Sequence, residues 1–215
     1  MKHLIAPLAI ALLTPASAAH ALTFNPGLAP GDTFHLAFLT AGTRDALDPD
    51  INNYNAFVQS EAAAAGLDTL FNQPVTWRVI GSTATVDARD NIGDPTSPVF
   101  NTNGDLVADN ESDLWDGTLD SPIAYTQFGD PLLVFTASGT TTAGTADFPI
   151  GSPIFFTVGF AGDTGPDWID TTEDRTQAPY SFYAISSAIT YVPEPASLVL
   201  LSFTGLITLR RRTAR

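Results

Sequence analysis

Carboxylates are the only reactive side chains that the middle of this chain supplies in number. Residues 22–192 contain 22 aspartates and glutamates, one histidine, and neither cysteine nor lysine. His35 lies between Phe34 and Leu36, and no serine has the glycine-framed pattern of a hydrolase nucleophile. A zinc site would need several histidines or cysteines. We therefore predict that His35 is a structural residue of a strand, and we assign no catalytic residues.

Paired carboxylates are the remaining route to catalysis. Two of them that flank a glycosidic bond can cleave it, one as general acid and the other as base or nucleophile. Among 22 acidic residues a suitable pair arises by chance, so the composition alone does not favour an enzyme. We predict a protein without enzymatic activity and keep a polysaccharide-acting hydrolase as the less favoured alternative.

Calcium is a second use for aspartates, because it is bound by clustered carboxylate and carbonyl oxygens. Two groups on predicted loops could supply them, although neither has the EF-hand spacing: Asp87, Asp90 and Asp94, and Asp105, Asp109, Asp113 and Asp116. A solvated acidic loop is the simpler explanation, so we predict no cofactor and no metal ligand, with calcium as the alternative. Trp115 and Trp168 either stack on sugar rings or, as we predict, anchor loops to the core.

The charge balance excludes one class of partner. Between positions 22 and 192 the chain has four arginines and 22 acidic residues, which gives a formal charge of −18. Such a surface repels nucleic acid and other polyanions. Because the chain has no cysteine, we expect packing to stabilise the fold in place of disulfides, with bound cations as an additional alternative.

Hydrophobic periodicity predicts one long helix among short strands. Asp48 and Pro49 have the residue types of an N-cap and first helical position, apolar residues recur at helical spacing, and Gly66 can end the helix. We predict this helix at residues 49–65. Strands are predicted near 34–40, 75–81, 132–136, 154–160 and 181–192. Residues 87–130 are predicted to be irregular, apart from a short helical turn near 111–115. The fold class is then α+β, a single mostly antiparallel domain.

The order of these elements between residues 34 and 140 resembles bacterial C-type-lectin-like domains. The resemblance lies in the segments 37–42 (AFLTAG), 56–67 (AFVQSEAAAAGL), 77–91 (WRVIGSTATVDARDN), 103–108 (NGDLVA), 113–123 (DLWDGTLDSPI) and 133–139 (LVFTASG). It implies a lectin-like scaffold with long irregular loops and, as an alternative function, calcium-dependent carbohydrate binding. The chain departs from that family by having no paired cysteines, Phe135 where a tryptophan is usual, and none of the sugar-binding triplets.

The last 24 residues have a three-part order. Val192, Pro193, Glu194 and Pro195 come first, an apolar run follows at 196–209, and Arg210, Arg211 and Arg212 follow that run. As a helix, the 14-residue run would span about 21 Å, short of the roughly 30 Å hydrocarbon core of a bilayer. The arginines would hold the end of the chain in the cytoplasm.

This order resembles the PEP-CTERM sorting signal of Gram-negative bacteria, also described as an ice-binding protein C-terminal motif. The resemblance implies that exosortase recognises the tripeptide Pro193, Glu194 and Pro195 at the inner membrane, that Val192 belongs to the same sorting signal, and that the protein accompanies exopolysaccharide production. Residues 1–21 have the pattern of a cleaved secretory signal, with cleavage after Ala21 or, alternatively, after Ala18.

The two ends together predict three segments and an extracellular role. They are a signal peptide at 1–21, a globular domain at 22–191, and a sorting signal at 192–215 with a short transmembrane segment at 196–209. We expect a secreted or cell-surface protein with a non-catalytic binding or structural role in exopolysaccharide or biofilm. Its expected partners are signal peptidase, exosortase, the inner membrane during export, and extracellular polysaccharide.

Overall fold

The computed structural model describes residues 27–174 and 178–192, which form a mixed α and β domain. The helices are α1 (Ile51–Ala64), α2 (Ala88–Ile92) and α3 (Glu111–Leu114), and one 3₁₀ turn covers Pro166–Trp168. The strands are β1 (Thr33–Leu39), β2 (Thr69–Leu70), β3 (Gln73–Pro74), β4 (Trp77–Val79), β5 (Val99–Asn101), β6 (Leu106–Ala108), β7 (Phe135–Ala137), β8 (Phe156–Phe160), β9 (Thr172–Asp174), β10 (Tyr183–Ser186) and β11 (Ile189–Thr190).

The largest sheet is built around β1. Its strand order is β4-β10-β1-β5-β6, and β11 pairs with the start of β1. Within the described residues, the pairing of β1 with β5 is parallel and every other strand pairing is antiparallel. A second sheet has the order β7-β8-β9, and β2 and β3 form a hairpin. The predicted mixture of helix and mostly antiparallel strands is therefore confirmed at the level of fold class.

The sheet around β1 is buried on both faces. Phe34, Leu36 and Phe38 pack with α1 on one face, whereas Ala37 and Leu39 pack on the other face with Trp115 and Trp168. A strand covered on both faces reads as a continuous apolar run, which is how the sequence of β1 reads. The prediction near 34–40 is confirmed for this reason.

The capping of α1 corrects the predicted start of the helix. Asp50, and not Asp48, is the N-cap residue, because its side chain accepts a hydrogen bond from the Asn52 amide at 3.0 Å. Pro49 therefore precedes the cap. The end is as predicted: Gly66 has φ +75°, and the amide groups of Gly66 and Leu67 donate to the last carbonyls of the helix.

The free edge of the sheet at β4 is closed by side-chain amides. The Val79 amide donates to Asn55 Oδ1 at 2.9 Å, and the Trp77 amide donates to Gln59 Oε1 at 2.8 Å. Asn91 Nδ2 donates to the Val79 carbonyl at 2.8 Å. Asn55 and Asn91 also exchange two hydrogen bonds with each other, at 2.9 and 3.0 Å. Helices α1 and α2 thus take the place of another strand, which satisfies backbone groups that would attract a foreign strand.

The region 87–130 is more regular than predicted. It contains α2, β5 and β6, which the sequence analysis missed, together with α3, which confirms the predicted turn near 111–115. Several predicted strands are shorter: 75–81 contains only the three residues of β4, and 181–192 is divided into β10 and β11. The strand predicted at 132–136 is displaced toward β7.

Removing the amide of Asn55 tests the closed edge. We expect Asn55→Ala to lower the free energy of unfolding by about 1–3 kcal/mol relative to Asn52→Ala, because Val79 and the buried Asn91 lose their partner. Asn52 is exposed on the same helix, so this control subtracts the helix propensity gained with alanine. Urea unfolding measures both variants.

The double variant Asn55→Ala, Asn91→Ala should lose less stability than the two single variants together, because they share the same hydrogen bonds. Strict additivity, or equal stability of Asn55→Ala and Asn52→Ala, would contradict the edge assignment.

Candidate functional site

Several members of the two predicted groups of aspartates accept hydrogen bonds from the chain. Oxygens of Asp87 and Asp113 accept hydrogen bonds from the amides of Ala146 and Asp109, both at 2.7 Å. Asp116 Oδ1 accepts from the amide and the hydroxyl of Thr118, both at 2.8 Å. In the part of the chain that the structure describes, no three acidic, histidine or cysteine side chains are grouped to hold a metal ion.

His35 and the two tryptophans lie in the interior. His35 is 8% exposed, its Nδ1 lies 2.8 Å from the Ser186 carbonyl, and burial lowers its pKa below the ordinary 6.5. Trp115 and Trp168 are 7% and 1% exposed, and their ring centres lie 6.2 Å apart. His35 lies on β1 as predicted, the prediction that both tryptophans anchor the core is confirmed, and both tryptophan rings are too buried to stack on a sugar.

An apolar groove with a volume of about 360 Å³ lies on this domain. Prolines and aromatic side chains dominate its lining: Pro49, Ala84, Phe148, Pro149, Ile150, Gly151, Ser152, Pro153, Ile154 and Phe155. Phe148 and Ile154 are 38% and 63% exposed, so part of this apolar surface faces solvent. Its size is in the range of small-ligand sites, which are mostly apolar.

Phe148 is held at the groove in an uncommon backbone conformation. Its φ is +42°, which is rare for a bulky residue, and its ring centre lies 4.8 Å from that of Phe155. Thr157 fixes this conformation with two hydrogen bonds, one from its amide to the Phe148 carbonyl at 2.9 Å and one from its hydroxyl to the Asp147 carbonyl at 2.6 Å. Backbone strain that neighbours enforce is typical of functional sites.

Gly151 brings the groove loop against the start of α1. Its φ is +86°, and a Cβ at this position would lie 2.6 Å from the Asp48 carbonyl oxygen and 2.7 Å from Pro49 Cα. Its amide donates to the Ala46 carbonyl at 2.7 Å. Only glycine allows this approach, and without it Pro49 would not form a wall of the groove.

Asp170 follows the groove loop in the chain and is influenced by several other carboxylates. Burial raises the pKa of Asp170 above its ordinary value of 3.8, and the negative charges of Asp147, Glu173 and Asp167 raise it further. Asp147 immediately precedes Phe148, so acidic groups accompany the apolar surface. The region therefore disfavours anionic ligands.

The predicted sorting signal lies almost entirely outside the described residues. Val192 is the exception and is 48% exposed. Pro193, Glu194, Pro195, the apolar run 196–209, Arg210, Arg211 and Arg212 lie outside, as does the signal peptide at 1–21. Of the helices that the structure describes, none combines the length and hydropathy needed to cross a membrane. Comparison with known proteins finds no matching family model and no matching curated protein.

Sequence reasoning missed the groove. It predicted a strand at 154–160, of which only β8 (Phe156–Phe160) is formed, so Ile154 and Phe155 belong to the groove loop instead. A signal was present, because Pro149, Gly151 and Pro153 interrupt the apolar segment 148–155 and prevent a regular strand. Such a loop exposes its apolar side chains, since it cannot lay them on a sheet.

The raised pKa of Asp170 predicts how stability depends on pH. A raised pKa in the folded state means that protonation of Asp170 favours folding. This contribution is complete below the unfolded-state pKa of 3.8 and is lost as the pH rises through the higher folded-state pKa. Asp170→Asn should therefore exceed the wild type in stability at pH 7 by a fraction of a kcal/mol, because solvent screens the repulsion, and the difference should vanish near pH 3.

Thermal unfolding from pH 3 to pH 8 measures this difference, and Asp170→Glu controls for the shape of the side chain because it keeps a titrating carboxyl group. A gain in Asp170→Asn that is equal at both ends of the range would show that charge repulsion is not its cause.

Proposed function

We propose that this chain is an exported protein, sorted by exosortase to the cell surface or extracellular matrix of a Gram-negative bacterium, where it binds extracellular polysaccharide without cleaving it. The sequence at both ends supports export: residues 1–21 resemble a secretory signal, and residues 192–215 resemble the PEP-CTERM signal. Signal peptidase and exosortase are its proposed processing enzymes. Exopolysaccharide or biofilm organisation is the proposed setting.

The exposed ring of Phe148 is the observation that supports polysaccharide binding most. The C–H face of a sugar ring packs on an aromatic face, and Phe148 is held at the groove with Phe155 beside it. Proline and isoleucine side chains extend this apolar surface along the loop. Because Thr157 and Gly151 fix the loop, little conformational entropy is lost on binding.

The acidic surroundings restrict the sugar chemistry. A formal charge of −18 between residues 22 and 192 opposes polyanionic chains such as polyuronates. Asp147, beside Phe148, would repel them locally. We propose a neutral or amine-bearing polysaccharide as the ligand of the groove.

Hydrolysis is a second candidate function, and Asp170 is the observation that favours it. A carboxyl group with a raised pKa can donate a proton to a leaving glycosidic oxygen, and a nearby ionised carboxylate such as Asp147 can assist. This pairing would make Asp170 the general acid of a polysaccharide-acting enzyme.

A C-type-lectin-like scaffold with calcium-dependent sugar binding is the remaining alternative. It is supported by the resemblance over residues 34–140 and by the mixed helix and strand content of the domain. Calcium ligands would have to come from the loop aspartates, which now accept hydrogen bonds within their turns.

Binding of the producing bacterium's own purified polysaccharide tests the proposal. We expect saturable binding by the wild type, and a loss of about three- to tenfold in affinity for Phe148→Ala, which removes the aromatic contact. Phe128→Ala is the matched control, because Phe128 is 44% exposed and lies outside the groove lining.

Equal affinities for both variants and the wild type would contradict binding at the groove. Release of reducing ends that Asp170→Asn abolishes would replace the binding role with the hydrolase. Affinity that depends on calcium, and not on magnesium at equal ionic strength, would favour the lectin alternative.

A further inference from the structure

One arginine of this acidic domain has no acidic partner among the residues that the structure describes. Arg44 Nη2 lies 3.5 Å from Asp48 Oδ2, and Arg89 Nη2 lies 2.9 Å from Glu111 Oε1. No described carboxylate lies within 4.0 Å of the Arg78 side-chain nitrogens. In a domain with so large an excess of carboxylates, an unpaired guanidinium is a local site of positive charge.

Arg78 lines a small pocket on the sheet, opposite Ile185 in the pairing of β4 with β10. The pocket has a volume of about 80 Å³ and is lined by Thr76, Arg78, Ile92, Ile185, Ser186 and Ser187. Arg78 Nη1 donates to the Asn91 carbonyl at 2.8 Å, which fixes the guanidinium at the pocket. A guanidinium has five N–H donors, and this bond uses one of them.

Two serines that line the pocket accept backbone hydrogen bonds through their hydroxyl oxygens. Ser186 Oγ accepts a hydrogen bond from the Leu36 amide at 2.8 Å, and Ser187 Oγ accepts from the Thr76 amide at 3.2 Å. Ser186 is buried and follows Ile185 on β10, so its side chain lies on the opposite face of the strand, whereas the exposed Ser187 keeps a hydroxyl proton that it can donate. The pocket therefore offers one cation and the Ser187 hydroxyl as donors, with Ile92 and Ile185 as apolar residues of its lining.

We propose that this pocket binds the carboxylate of a small monoanionic ligand. A planar carboxylate matches the parallel N–H groups of a guanidinium, and a volume of about 80 Å³ accommodates a few non-hydrogen atoms. The domain's negative charge opposes polyanions, so the ligand carries a single charge. This site is separate from the groove and does not depend on the proposed function.

An NMR titration of the full chain, purified in non-ionic detergent, tests the site with acetate, glucuronate and glucose as probes. Acetate and glucuronate should shift the Arg78 Nε–Hε and Ser187 amide signals saturably, and glucose should not. Affinity at least about tenfold higher for glucuronate than for acetate would support an acidic sugar as the ligand. Equal affinities would support a free small acid in the same site.

Substitution of Arg78 separates a specific site from the effect of net charge. Arg78→Gln should weaken acetate binding by about tenfold or more, since a charge-assisted hydrogen bond is lost. Arg89→Gln makes the same change in charge and should stay within about twofold of the wild type. Arg78→Lys keeps the charge without the planar fork and should bind with intermediate affinity.

If Arg78→Gln does not fold by circular dichroism, Arg78→Lys carries the comparison with Arg89→Gln. The proposal is overturned if the wild type shows no saturation up to about 100 mM acetate, which is weaker than any useful affinity. Equal weakening by substitutions at Arg78 and Arg89 would also overturn it.

Discussion

The closure of the β4 edge by side-chain amides is the constraint on which the rest of this fold depends. Three side chains, from Asn55, Gln59 and Asn91, satisfy backbone groups of Trp77 and Val79 that no strand reaches. The same hydrogen bonds attach α1 and α2 to the sheet. An unpaired edge invites association with other chains, and a buried unpaired polar group is costly, so the amides both stabilise and protect the domain. No disulfide shares this task, because the chain has no cysteine.

The hydrogen bonds at this edge also help to position both proposed binding surfaces, the apolar groove and the Arg78 pocket. The Asn91 backbone holds the guanidinium of Arg78, while its side chain closes the edge. At the groove, Gly151 packs the loop against Pro49, directly before the cap of α1. Loops that carry binding residues work best when a rigid scaffold positions them, and here α1 and α2 connect the scaffold to both surfaces.

The sequence alone was sufficient to predict the elements whose apolar residues follow a regular period along the chain. The helix at α1 and the strand at β1 have the periodicities of a one-sided helix and a doubly covered strand, and both were predicted. The region 87–130 was not, because β5 owes its place in the sheet to a parallel pairing with the distant β1, and the short runs of β5 and β6 are surrounded by Asp, Asn, Gly and Pro.

The candidate site could be predicted only in part. The many aspartates suggested a calcium site as an alternative, yet several of them accept hydrogen bonds within turns. Asn55 and Gln59 lie one helical turn apart, but an amide on a helix looks the same in sequence whether it faces water or a sheet edge. The lack of an acidic partner for Arg78 among the described residues and the strained conformation of Phe148 are tertiary properties, which no local pattern reports.

The proposed role requires the domain to reach the cell exterior and to lose its arginine-rich end. The intact mass of the protein recovered from the medium or surface of the producing bacterium measures both steps at once. Export and sorting predict a chain that begins at Leu22, or alternatively at Ala19, and ends near Pro193 to Pro195. A mature protein that still carries Arg210, Arg211 and Arg212, or one found only inside the cell, would contradict the proposal.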